Sequence, residues 1–281
     1  MTKIIKVNLL ILITLLSACS STRLIYNLAN NYIQNEISFF FDLDKKENVV
    51  IVQQVSELVE WHRKSMLPRY ADYLDNLANK LEKGEYNHSD ITQIVSNGQF
   101  LIEETVTGFT PYISEFLVQF QTMEDIEFMK QRIKIRRQER IKKFLKSDNK
   151  LYEERLKKLT SNFNKFFGTL SNEQMILLEK YARDTLHDSR IRLQNRSLRQ
   201  KVFVNFLKTK PTQAQLTIYL NRLLLNGHEI INPDYKAFTE LFLDRFRELL
   251  TSMLANSSKS QQETIILKLK DYAKDFKKLS G

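Results

Sequence analysis

Apolar residues recur at steps of three and four along most of this 281-residue chain. Leu67, Ala71, Leu74, Ala78 and Leu81 draw one such stripe. Tyr152, Leu156, Leu159, Phe163 and Phe166 draw a second, which continues to Leu170. That spacing gathers the apolar side chains on one helix face, as in a bundle or a coiled-coil seam. Start signals punctuate the stripes. Asp44 with Glu47, Thr122 with Asp125, Ser171 with Gln174 and Thr212 with Gln215 have capping-box spacing or something close to it. Thr110-Pro111 and Asn232-Pro233 put proline at a first helical position after a capping residue. Gly84, Gly98, Gly168 and Gly227 fall near expected helix ends. The pattern predicts helices at 23–40, 45–66, 68–83, 89–107, 111–121, 123–167 with a break near Asp148, 171–206, 212–226, 233–256 and 262–279. The expected fold is all-α, a multi-helix bundle of long and short helices. A weak internal boundary is expected near 108–123, where mixed charge gives way to a strongly basic stretch.

One apolar run stands outside this pattern. Val7 to Leu16, interrupted by Asn8 and Thr14, follows Lys3 and Lys6 and leads into Ser17 and Ala18. Positive, then apolar, then small is the order of a secretory signal peptide, here residues 1–18. The run is about half of the ~20 apolar residues that a spanning helix needs. Leu16-Ser17-Ala18-Cys19 looks like a bacterial lipobox, and Cys19 is the only cysteine. The resemblance implies diacylglycerol on the Cys19 sulfur, cleavage before it, and acylation, as by palmitate, of the new amino terminus. Several chains hold a protein stably at a bilayer where one does not. Ser20 in place of aspartate implies sorting to the outer membrane, facing the periplasm. The plainer reading is an ordinary signal peptide with an incidental cysteine. With Cys19 acylated, the mature segment 19–281 has no thiol for a disulfide, a metal or a nucleophile. Only Ser20, Ser21 and Thr22 precede the amphipathic "RLIYNLANNYI", so the fold is expected to begin close to the membrane surface.

Composition agrees with helices joined by short loops, with six glycines and four prolines against 18 Phe and 11 Tyr. Removing Lys3 and Lys6 from the 43 basic residues leaves 41 against 33 acidic ones, a net charge of +8. Export argues against nucleic acid as the partner of that charge. Expected partners are the membrane, through lipid on Cys19, and an unknown envelope protein or anionic envelope component.

Two stretches carry candidate chemistry. "EWHRKSMLPRYADYL", Glu60 to Leu74, holds the single Trp and a proline that should kink or divide the helix after Ser65. Trp61, His62, Arg63 and Arg69 could bind an anionic or sugar-like ligand by stacking and charge-assisted hydrogen bonds. Against this, Ile51, Val55, Leu58 and His62 share one stripe, which makes His62 a core histidine with a hydrogen-bond partner. "KQRIKIRRQERIKKFLK", Lys130 to Lys146, has nine basic residues and one acid. Arg132, Lys134, Arg136, Arg137 and Arg140 form a candidate surface for an anionic partner, or simply a solvated face. Arg190, Arg192, Arg196 and Arg199 form a second basic run, and two such faces side by side would strengthen the functional reading. There is no GxGxxG, phosphate loop, GxSxG or HExxH, and the histidines at 62, 88, 187 and 228 lack metal spacing. No catalytic residue, metal or cofactor is assigned. Asp42 and Asp44 could bind a cation, though Asp44 more simply caps the helix after it.

"LSNEQ", Leu170 to Gln174, resembles the "LTxxQ" motif of the Spy and CpxP family of periplasmic chaperones and stress sensors, with Ser for Thr. A capping box alone writes the same letters. Over most of the mature chain the sequence is similar to a family of helical Gram-negative lipoproteins of unknown function. The residues that carry this are the lipobox, "RLIYNLAN" at 23–30, "DLD" at 42–44, "WHR" at 61–63 and "LPRYADYL" at 67–74. The resemblance implies a helical fold and an envelope address without an activity. The expected function is non-enzymatic: a periplasm-facing lipoprotein binding a partner through a helical, partly basic surface, with a chaperone or stress-related role. The alternative is a ligand-binding protein or enzyme acting on envelope polymers at Trp61-His62-Arg63.

Overall fold

A computed structural model of the chain describes Arg23 and residues 26–281. The signal segment and Cys19 lie outside the described residues. The fold is all-α, with no strand among the described residues. In chain order the helices are α1 Ala29–Phe40, α2 Lys45–Trp61, α3 Leu67–Glu82, α4 His88–Leu117, α5 Met123–Lys142 and α6 Asp148–Phe167. They continue as α7 Asn172–Asp184, α8 Asp188–Leu207, α9 Gln213–Leu225, the single turn α10 Gly227–Ile230, α11 Asp234–Ala255 and α12 Lys259–Ser280. Among the described residues no helix is long and apolar enough to cross a membrane.

The caps explain why the elements start where they do. Reciprocal capping boxes form at Asp44/Glu47, Thr122/Asp125, Ser171/Gln174 and Thr212/Gln215, and also at Asn87/Asp90 and Ser258/Gln261. In each, two N–H groups that the helix leaves unpaired are satisfied. Asp44 accepts from the N–H groups of Lys46 and Glu47, so it is a capping residue. The break near Asp148 falls between α5 and α6, and Gly84 and Gly168 follow α3 and α6 with φ of +77° and +71°. Asn232 likewise accepts from the N–H of Asp234, at the start of α11.

Three expectations are corrected. Thr110-Pro111 does not start a helix, because both residues lie inside the 30-residue α4. Pro111 cannot donate to the carbonyl of Thr107, and the Thr110 hydroxyl donates to it instead at 2.9 Å. Gly98 also sits within α4, where its bare Cα leaves room for the Tyr73 hydroxyl. The segment 171–206 is two helices, parted at Thr185. No glycine or proline makes that break. Thr185 is fully buried and takes the guanidinium of Arg155, and Asp188, also buried, lies 3.9 Å from both Arg192 and Arg245.

The helices bury two apolar cores. The first joins α1, α2, the end of α4, α5, α8 and α9, around Ile51, Val55, Phe116, Phe120 and Leu216. The second joins α3, the start of α4, α6, α7, α11 and α12, around Ala78, Ile91, Leu178, Met253 and Leu269. α4 and the α2–α3 rod run through both. α3 and α12 pair antiparallel, with Glu82 on Lys270 (2.5 Å) and Asp75 on Lys277 (2.7 Å). Ala71, Ala78 and Ala273, at 0%, 0% and 1% exposure, let this pair approach closely.

Candidate functional site

Trp61, His62 and Arg63 sit where α2 passes into α3. Pro68 does not break the chain there. Its missing N–H and crowding ring are absorbed by a five-residue π-helical turn, His62–Met66, in which the Leu67 N–H reaches back to His62 O. The Trp61 indole lies on Gly108, where a Cβ would fall 2.0 Å from the ring. Its centroid is 5.4 Å from that of Phe109. His62 Nδ1 is 2.8 Å from the Tyr26 hydroxyl, and the two rings stack at 5.8 Å. Burial holds the His62 pKa below the ordinary imidazole value and pushes the Tyr26 hydroxyl up. His62 thus continues the buried stripe of Ile51 and Val55 with a hydrogen-bond partner of its own. Arg63 lies over the Tyr26 ring at 5.5 Å. Arg69 pairs with Glu104 at 2.5 Å, which ties α3 to α4. The structure brings His62 and Arg63 together around Tyr26, seats Trp61 against Gly108 and Phe109, and uses Arg69 as a strut between helices.

The basic helix α5 divides by face. Arg136 bonds Glu36 at 3.1 Å and lies 4.1 Å over Phe39, while Arg132 lies over Phe39 and Phe128. Both are committed to docking α1. Lys134 and Arg137 are exposed and Arg140 is half-exposed, with Ile135 and Ile141 open to solvent among them. α5 packs against α8, so the two basic runs are neighbours.

Between these helices lies a cleft of about 870 Å³. Its walls are apolar: Ile33 and Ile37 of α1, Leu58 of α2, Ile113 of α4, Ile133 of α5 and Leu223 of α9 are representative. α8 supplies most of the polar wall, and Gln54, Tyr112 and Tyr235 add hydrogen-bonding side chains from other helices. Arg192, Asn195, Arg196, Arg199, Gln200 and Phe203 all line the cleft, at steps of three and four along one helix face. A helix face turned toward a cleft is ordinarily apolar, and here it carries three guanidinium groups, those of Arg192 and Arg196 also open to solvent. Among the described residues no carboxylate lines the cleft. Arg192 lies 4.1 Å over Phe242, and Arg199 donates to Asn195 Oδ1 at 3.0 Å and to Leu224 O at 3.3 Å. Arg196 is exposed and has no partner among the described residues. Asn195 is 4% exposed, and its Nδ2 has no hydrogen-bond partner. A buried, unpaired donor is costly and calls for an acceptor.

Leu170–Gln174 is taken up in the fold. Ser171 and Gln174 form the capping box of α7, and the buried Gln174 amide bonds Asn256 O (3.2 Å) and Gln261 (3.1 Å), the partner of Ser258 in the capping box of α12. Among the described residues no group of three or more His, Cys, Asp or Glu is placed to hold a metal ion.

A family of unknown function, DUF6279, matches residues 39–236. The chain belongs to this family. The matched span holds "WHR", "LPRYADYL" and all the cleft-lining residues except Ile33 and Ile37. No curated protein and no solved structure matches the chain.

The cleft escaped the sequence reading, which noted the α8 arginines only as a basic run. The signal was their phase: Arg192, Arg196, Arg199 and Phe203 recur at helical steps, so arginines and an aromatic share one face. Sequence alone does not say what that face looks into.

Proposed function

We propose that this protein is a lipid-anchored, periplasm-facing envelope protein that binds an anionic envelope component without catalysing its conversion. The observation that carries the reading is the arginine-bearing stripe of α8, which faces a cleft lined by no carboxylate among the described residues, with the unpaired amide of Asn195 beside it. Guanidinium groups suit anionic oxygen, because each fixes two donors in one plane. The exposed Lys134 and Arg137 of the adjoining α5 extend the positive field and steer an anion toward it. Lipid on Cys19 is the anchor in this reading. Tyr26 already packs on His62 seven residues further on, a tether of at most about 25 Å. A chaperone or stress-related use of the binding rests on the "LSNEQ" likeness.

A photo-crosslinking residue at position 200, in cells, tests the reading. Recovery of an adduct with an envelope component supports it, and an adduct suppressed by Arg196→Glu supports it further. Absence of any adduct from a folded, exported protein overturns it.

A further inference from the structure

We propose that the occupant of the cleft is an anionic phospholipid, with its acyl chains against the apolar walls and its phosphate among Arg196, Arg199 and Asn195. The inference rests on the anion-binding reading above and names the class of ligand. Charge complementarity selects the head group. Among the described residues Arg196 has no partner and the buried Asn195 Nδ2 donor is unpaired, while Arg199 is fixed by Asn195 Oδ1 and Leu224 O. A phosphate offers acceptors to Arg196 and to Asn195 Nδ2 beside the fixed Arg199. A zwitterionic head group brings a phosphate too, but sets its own cation against the guanidinium groups, so net negative charge is what the site favours. The apolar part of the remaining wall selects the tail. Ile37, Leu58, Ile113, Ile133 and Leu223 belong to five helices and offer no hydrogen-bonding side chain. Water against such a wall gains nothing, whereas methylenes moved onto it from water are favoured. Size agrees. At about 870 Å³ the cleft lies in the upper part of the ~300–1,000 Å³ range of small-molecule sites, room for acyl chain. An inorganic anion or a sugar would leave the apolar wall bare. A buried apolar helix of a partner would leave the arginines unpaired.

The test uses the full chain with Cys19→Ser, so that acyl chains on Cys19 are not the occupant. The protein is incubated with phosphatidylglycerol vesicles, phosphatidylcholine vesicles or oleate, re-isolated, and weighed by native mass spectrometry. The expected result is one phosphatidylglycerol per chain, uptake from phosphatidylcholine at least tenfold lower, and a tenfold or greater loss of phosphatidylglycerol uptake in Arg196→Glu. Arg196 is exposed and unpartnered, so that variant keeps the fold, which circular dichroism checks. Equal uptake of the two lipids overturns the proposal, as does oleate bound in preference to phosphatidylglycerol. Full uptake by Arg196→Glu also overturns it. No lipid uptake alongside a crosslinked protein at position 200 overturns this inference and leaves the binding reading standing. Neither lipid nor crosslink overturns both.

Discussion

At Gly108 a single hydrogen decides the packing of the only tryptophan. The indole of Trp61 occupies the space of a Cβ, so Gly108→Ala forces the ring or the α2–α4 contact to move. Overpacking of this kind costs about 1–3 kcal/mol. The expected outcome is a lower Tm with a red-shifted Trp61 emission, the protein's one indole being its own reporter. His62 sets a pH dependence. Burial lowers its folded pKa below the ordinary 6.5, so the unfolded chain binds its proton first as pH falls. The stability linked to neutral His62 is full above pH 6.5 and is lost as pH drops from there through the folded value. Urea titrations between pH 7.5 and 5 should show this fall, and His62→Gln should flatten it. A slope unchanged in His62→Gln would assign the effect to other groups. The histidine's role was legible from its place on the Ile51–Val55 stripe. Its partner was not, since Tyr26 lies 36 residues away.

Helix starts were legible because a capping box is a contact between residues three apart, written wholly in the local sequence. Interruptions were not. α4 continues through Pro111 because the hydroxyl of Thr110 covers the orphaned carbonyl, and the chain breaks at Thr185 because Arg155 and Arg245 draw Thr185 and Asp188 inward. Gln174 shows an element boundary doing tertiary duty. Its buried amide links the caps of α7 and α12. Gln174→Ala should cost about 1–3 kcal/mol, the usual loss when buried partners are left unsatisfied. A double-mutant cycle with Gln261→Ala should show less than the sum of the two losses, since both remove the same network. Basic α5 divides in the same manner. Arg136→Glu places like charge beside Glu36 and removes the guanidinium from Phe39, so it should lower Tm, whereas Arg137→Glu on the exposed face should change stability by no more than about 0.5 kcal/mol. Surface-charge tests of partner binding are therefore clean at Lys134 and Arg137 and confounded at Arg136.

Across the whole molecule the long-range pairing of α3 with α12 and the shared α4 join two cores into one body. The cleft lies against the first core, where α1 turns inward on Arg136 and Phe39. Arg23 pairs with Asp275 of α12 and Tyr26 rests on His62, so the fold takes hold of the chain soon after Cys19. Cys19→Ser should leave helicity and Tm unchanged while moving the protein from the membrane to the soluble periplasmic fraction. Retention on membranes after a high-salt wash would remove the anchor from the proposed function.

The sequence by itself determined the all-helical fold, the caps at Asp44, Thr122, Ser171 and Thr212, and the helical stripe of Leu67–Leu81. Each depends on residues three or four apart, and backbone geometry fixes where such residues point. It also wrote the arginines of α8 in phase. Only the tertiary structure decided that their face meets apolar walls from α1, α2, α4, α5 and α9. A cleft is made of surfaces from segments well over a hundred residues apart, and no local period records which of them meet. The same holds for the unpaired amide of Asn195. Its want of a partner is a property of everything packed around it, and that enclosure exists only once the chain has folded.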